Sequence, residues 1–185
     1  DIERIRAVRN AVGDSIELRV DANGAWTHEQ ASTAIEGLAA LDVAYVEQPL
    51  PTAELSSHAS LRGNGVDIAL DESLVTHDIA GIIDADAADV VVLKPMVLGG
   101  PDRAVEAARA CREAGIDPIV STTIDAVVAR VGAVHAAAAI PDVRACGLAT
   151  GARLATDLAR DPATIDDGEI TVPQTPGLGI DQPPL

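Results

Sequence analysis

What most constrains this chain is a repeat of spacing rather than of letters. Nearly continuous runs of Val, Ile, Leu and Ala recur at Ile16–Val20, Val43–Val46, Asp67–Leu70, Asp89–Leu93, Asp117–Val120 and Val143–Cys146. The residues that close them, Asp21, Glu47, Asp71, Lys94, Ser121 and Gly147, follow one another at intervals of 23 to 27 positions. Runs this short and this apolar predict strands covered on both faces, as in a parallel sheet. Between them, amphipathic or Ala-rich stretches predict helices over His28–Ala40, Ala53–Leu61, Asp78–Ala85, Asp102–Ala114 and Ile124–Ala139, and a leading helix covers Ile2–Val12. Pro101 is placed to open one helix and Gly115 to close it.

Strand and helix in strict alternation predict an α/β architecture, and so many units in a row favour a (β/α) barrel. A doubly wound sheet is the alternative, but no glycine-rich loop follows the first strand to support it. Six strands fall short of the eight of a closed barrel. The chain also opens on Asp rather than Met, with a helix already under way. The expectation is therefore an incomplete barrel, with residues 1–160 carrying the site. Residues 161–185, rich in Pro, Asp and Gly, form a tail that packs on the barrel or on a capping domain the chain lacks, with a short strand at Glu169–Val172.

Composition narrows the partners. Hydrophobic residues make up 48% of the chain, which excludes a disordered segment, yet aromatics are only 1%. The interior must therefore be aliphatic. Acidic residues number 29 against 13 basic, for a formal net charge of −16. Such a surface repels nucleic acid and anionic membranes, so neither is expected as a partner. Of the basic residues only Lys94 is a lysine. An acid-rich, lysine-poor surface suits a high-salt interior, where screening quiets self-repulsion, so a halophilic source is expected. No apolar run reaches the roughly 18 residues of a membrane span and no signal segment opens the chain, so a cytoplasmic protein is expected. Cys111 and Cys146 have no metal-ligand spacing and read as buried free thiols of a reducing compartment.

In a barrel, the carboxyl ends of the strands share one face, and that face carries the active site. Asp21, Glu47 and Asp71 close three consecutive runs. Each has a local reading: a turn in Asp21-Ala-Asn-Gly, a strand exit in Glu47-Gln-Pro, a helix cap in Asp71-Glu-Ser. Three carboxylates at matching places in successive units would repel one another unless a hard divalent cation lay among them, and Mg²⁺ or Mn²⁺ fits oxygen donors. Lys94 closes the next run. A lysine, unlike an arginine, can lose its proton when desolvated and so take part in acid/base work. Asn23 and Gln48 follow two of the carboxylates and are candidates to orient them. His28, His58, His77 and His135 have no ligand spacing and read as surface or helix positions. Trp26 reads as packing beside the metal loop.

The stretches Arg19-Val-Asp-Ala-Asn-Gly-Ala-Trp26, Tyr45-Val-Glu-Gln-Pro-Leu50, Ala69-Leu-Asp-Glu-Ser73 and Leu93-Lys-Pro95 resemble the ordered motifs of the enolase superfamily, in its muconate-cycloisomerase-like branch. The resemblance runs through nearly the whole chain. It implies Asp21, Glu47 and Asp71 as Mg²⁺ ligands and Lys94 as one of two catalytic lysines flanking a small carboxylate substrate. The second lysine would come from a Lys-x-Lys strand upstream of Asp1, so an N-terminal portion of the same protein is an expected partner. Lys94-Pro-Met-Val-Leu-Gly-Gly100 and Gly147-Leu-Ala-Thr-Gly-Ala-Arg-Leu-Ala-Thr-Asp157 are similar to stretches of the o-succinylbenzoate synthases of that branch.

The implied activity is a Mg²⁺-dependent lyase of menaquinone biosynthesis. It removes water by syn elimination through an enediolate, and the present chain alone is expected to be inactive. Asn23, Ser121, Gly147 and Thr150 are the implied substrate-binding positions, although Asp125 stands where relatives often carry a glutamate. The glycines at 99–100 and 147–151 either bring backbone N–H groups to a substrate carboxylate or form tight turns. An N-acyl amino acid racemase, a dipeptide epimerase or a muconate cycloisomerase is the alternative within the branch. A non-catalytic piece that needs an N-terminal partner is the alternative outside it.

Overall fold

The computed structural model describes residues 2–181. In chain order the elements are α1 (Ile2–Val12), β1 (Leu18–Asp21), α2 (His28–Ala39), β2 (Val43–Glu47), α3 (Leu55–Leu61), β3 (Asp67–Leu70), α4 (Ser73–Thr76), α5 (Ile79–Asp84), β4 (Val90–Leu93), α6 (Pro95–Leu98), α7 (Pro101–Glu113), β5 (Asp117–Val120), α8 (Val127–Ala138), a 3₁₀ turn (Gly151–Arg153), β6 (Ile165–Asp166) and β7 (Glu169–Ile170). Five strands lie side by side in the order β1-β2-β3-β4-β5, and β6 and β7 form a separate pair. Sequential order with a helix after each parallel strand is the pattern of a (β/α) barrel, here in part.

By its internal contacts the chain divides into two compact units. One runs to Val91 and takes in Ala114–Ile116, and the other holds Val92–Glu113 and Asp117–Leu185. In the first, β1 pairs with β2 from Leu18↔Val43 to Asp21↔Glu47, with an irregularity between Leu18 and Arg19. Strand β2 pairs with β3 from Tyr45↔Asp67 to Glu47↔Ala69, and β3 pairs with β4 at Ala69↔Val90 and Leu70↔Val91. The core here is aliphatic, as the composition requires: Ile35, Leu38, Val46, Leu50, Leu61, Ile68, Leu70 and Ile82 are buried. Burial of one such side chain is worth about 1.5–3 kcal/mol.

Helix α2 starts where its sequence says it should. Thr27 and Gln30 close a capping box, each side chain meeting the other's backbone N–H. Arg9 is 93% buried, and its guanidinium donates to the carbonyls of Leu41, Gly13, Ile16 and Asp42, tying α1 to the end of α2.

The second unit departs from expectation at the sixth run. Val143–Cys146 is not a strand. A single parallel bridge joins Ser121 to Gly147, whose N–H donates to the Val120 carbonyl at 2.9 Å. The segment is entered through Asp142 at φ 49° and is half-exposed or exposed throughout, so it lacks the cover that would hold it as a buried strand. Helix α8 also begins three residues later than expected, after Ile124 at φ 64°. Its first free N–H, on Val127, is capped by the distant carboxylate of Asp157 at 2.9 Å. In the tail, the expected strand shortens to Glu169–Ile170 and pairs antiparallel with Ile165–Asp166 across an Asp167-Gly168 turn with both φ positive. The last four residues of the expected tail lie outside the described residues. No described helix is long and apolar enough to cross a membrane.

Candidate metal and acid/base site

The carboxylates of interest stand at the ends of β1, β2 and β3. Asp21 and Glu47 are directly opposed across the β1–β2 ladder. Asp71 is the first residue past β3, which pairs with β2. Their surroundings differ: Asp21 is exposed, Glu47 half-buried and Asp71 buried. One Asp21 oxygen accepts the Asn23 N–H at 2.8 Å, so the local turn reading holds for that residue.

The loops beyond the strands are stitched together through the main chain. Ala22 donates to the Glu47 carbonyl at 2.9 Å, Gly24 to that of Gln48 at 2.7 Å and Trp26 to that of Pro49 at 3.2 Å. Trp26 is half-buried. Gly24 sits at φ 68° and an added Cβ would come within 3.4 Å of the Leu50 carbonyl. Asn23 and Gln48 also hold left-handed backbones, at φ 47° and 40°. Asn tolerates this conformation, whereas for Gln it costs about 1 kcal/mol and requires support.

That support is a buried polar cluster under the strand ends. Gln48 and His58 are fully buried, and so is Ser73. The Gln48 amide donates to the Leu50 carbonyl and the Ser73 hydroxyl, both at 2.9 Å, and its oxygen accepts the N–H groups of Asp71 at 3.2 Å and Ser73 at 3.1 Å. His58 Nδ1 lies 2.9 Å from the Glu54 carbonyl, which can only accept, so Nδ1 carries the proton and Nε2 faces the Leu50 N–H and the Gln48 amide, each at 3.4 Å. Burial lowers the pKa of His58. Position alone pointed to Gln48; His58 does take a helical place, in α3, but its burial was missed because nothing in its spacing marks it. His28 meets the Ser60 hydroxyl at 2.8 Å and His77 the Thr52 carbonyl at 2.9 Å.

Three carboxylates supply the hard oxygen donors a divalent cation prefers, so the donor chemistry fits Mg²⁺ or Mn²⁺. Among the described residues no group of three or more His, Cys, Asp or Glu side chains is arranged to hold a metal ion. The backbone aligns the carboxylate-bearing ends, and the side chains themselves are not gathered.

The remaining candidates belong to the second unit. Lys94, half-buried, directly follows β4 and caps α6, its carbonyl accepting from Val97 and Leu98. Gly99 and Gly100 close that helix at φ 95° and 151°, and both N–H groups bond to the Pro95 carbonyl. The tight-turn reading therefore holds for this pair. Ser121 donates through its hydroxyl to the Gly147 carbonyl at 3.3 Å, and a Cβ on Gly147 would fall 2.6 Å from that hydroxyl, which would have to turn away. The hydroxyls of Thr122 and Thr150 meet at 2.7 Å. Buried Asp125 bonds back to the Thr123 hydroxyl and N–H. Arg130, 99% buried in α8, holds the following segment through the carbonyls of Leu148 and Ala163 and the carboxylate of Asp161.

A family profile, that of the enolase C-terminal domain-like proteins, matches residues 1–183. The chain belongs to this family. An o-succinylbenzoate synthase from Thermobifida fusca is 40% identical over 164 residues, which are 88% of this chain and 50% of that protein. A chloromuconate cycloisomerase from Cupriavidus necator is 35% identical over 98% of this chain and 50% of its own length. The crystal structure of an N-succinyl Arg/Lys racemase from Bacillus cereus superposes with a TM-score of 0.91 at 30% identity, covering 99% of this chain and 50% of that one. This enolase-family chain thus spans about half the length of the curated relatives it matches. Its fold is an incomplete (β/α) barrel of the enolase superfamily, and its relatives are enzymes of that superfamily.

Proposed function

We propose that the chain carries the divalent-metal ligands and one catalytic lysine of an o-succinylbenzoate synthase-like lyase. The observation that carries the metal reading is the direct register of Asp21 with Glu47, with Asp71 just past the end of the adjoining strand. The lyase reading is supported by the 40% identity with the Thermobifida fusca synthase.

Asp21, Glu47 and Asp71 would hold Mg²⁺ or Mn²⁺. The bound cation would offset the negative charge that builds on a substrate carboxylate as its α-proton leaves. Lys94 would hold a proton donor at its Nζ for charge developing in the transition state. Asn23, Ser121, Gly147 and Thr150 would contact the substrate. The second lysine would be supplied by an N-terminal portion of the same protein.

The test is turnover by the complete protein, assayed with the cyclohexadiene precursor of succinylbenzoate beside N-succinyl amino acids. Mg²⁺-dependent loss of water from the first is expected. Turnover of the N-succinyl amino acids alone would overturn the lyase reading in favour of a racemase, which the likeness to the Bacillus cereus structure supports. Lys94→Ala should lower kcat by about 10²–10³-fold, and Lys94→Arg should not restore it, because a planar guanidinium cannot place its donors where the compact ammonium does. Appreciable turnover by the 185-residue chain alone would remove the need for a second lysine.

A further inference from the structure

The cluster around Gln48 touches every segment that bears a candidate metal ligand, and nothing in a mere turn requires that. Through its carbonyl Gln48 accepts from Gly24, in the loop that Asp21 opens. Its own N–H donates to Ala69 on β3, at 2.8 Å. Its side-chain oxygen receives the Asp71 N–H itself. It directly follows Glu47. One residue thus makes a hydrogen bond or a covalent link to each of the three strand exits.

The orientation of its amide is fixed by chemistry. Two backbone N–H groups, of Asp71 and Ser73, point at one end, and only an oxygen can accept them. The nitrogen end then has two protons for two acceptors at 2.9 Å, the Leu50 carbonyl and the Ser73 hydroxyl. His58 completes the enclosure. Its Nδ1 proton is anchored on the Glu54 carbonyl, so its bare Nε2 offers an acceptor to the Leu50 N–H and leaves no second donor to compete with the amide. A buried amide bonded at both its oxygen and its nitrogen resists rotation.

Resting on the metal reading above, we infer that Gln48, braced by Ser73 and His58, is a positioning residue that sets the spacing of the Asp21, Glu47 and Asp71 strand exits for a divalent cation. It does not touch the cation. It holds the backbones from which the ligands project, and partners of this kind are typically worth 10–100-fold in metal affinity.

The experiment titrates the 185-residue chain with Mn²⁺, followed by the electron paramagnetic resonance of the free ion. Three variants, Gln48→Met, Ser73→Ala and Asp71→Asn, are each also melted in EDTA. Ser73→Ala removes one bracing bond and shortens the chain by only a hydroxyl, so it is the variant least able to unfold the protein. Ser73→Ala and Gln48→Met should each raise the Mn²⁺ Kd by about tenfold or more. An unchanged Kd in folded Ser73→Ala would overturn the inference, because a purely structural role shifts the melting temperature in EDTA and leaves the Kd alone. If the parent chain binds no Mn²⁺ and Asp71→Asn is indistinguishable from it, the metal reading itself fails and takes this inference with it.

Discussion

His58 and Cys111 are ionisable groups that their surroundings hold neutral, and each makes the protein answer to pH or to reagents in a definite way. Burial is the main cause at His58 and outweighs the opposing hydrogen bond and charge of Glu54. A histidine whose folded pKa lies below its unfolded value of 6.5 takes up its proton more readily in the unfolded chain. Its contribution to stability is therefore complete above about pH 6.5 and declines as the pH falls from there toward the folded pKa. The melting temperature should drop between pH 7 and pH 5, and His58→Gln should flatten that slope; an equal slope in the variant would exclude His58 as its source. At Cys111 burial pushes the thiol up to about 12, so it has almost no thiolate at neutral pH. Cys146 is half-exposed, against the expectation of two buried thiols. A soluble alkylating reagent at pH 8 should modify one thiol quickly, and mass spectrometry of the digest should find it at Cys146. The difference was not legible in the sequence because neither cysteine has neighbours in the chain that reveal its depth.

At the scale of elements, local chemistry was the better guide where a single segment contains its own reason. The Thr27–Gln30 box, the Asp78 cap that accepts from Gly81 at 2.8 Å and the glycine stop after α7 could all be read from neighbours in the chain. Val143–Cys146 could not, since a short run of this kind becomes a strand only when something covers it. The tail hairpin carried a readable signal in Asp167-Gly168, a pair suited to turns with positive φ. Arg9 is the opposite case: a helical arginine that looks like surface charge is enclosed by four carbonyls from two segments. Arg9→Ala should cost on the order of 2–4 kcal/mol by urea denaturation, since it leaves the buried Leu41 carbonyl and three partly buried ones without their donor. Thr27→Ala, which loses only a cap, should cost about 1 kcal/mol. A smaller loss for Arg9 than for Thr27 would show that its bonds are replaced by water.

At the scale of the molecule, the alternation of strands and helices and the order of the carboxylates along the chain were legible, because both are periodic. The buried cluster that fixes those carboxylates was not, because it depends on residues 10 and 25 positions apart. The charge balance of 29 acidic against 13 basic residues acts on the whole surface at once. The melting temperature should rise by several degrees from low salt to molar KCl as self-repulsion is screened. A flat response would count against a halophilic origin. The same composition leaves one Trp and one Tyr in the chain, with no Phe. That indole, Trp26, is half-buried and hydrogen-bonded through its main chain to Pro49, a few residues beyond Asp21. Excited at the red edge of its absorption, the protein therefore emits from a single point, and that point lies on the loop that Asp21 opens. Events at this strand exit could be followed in real time by native fluorescence, without any label attached.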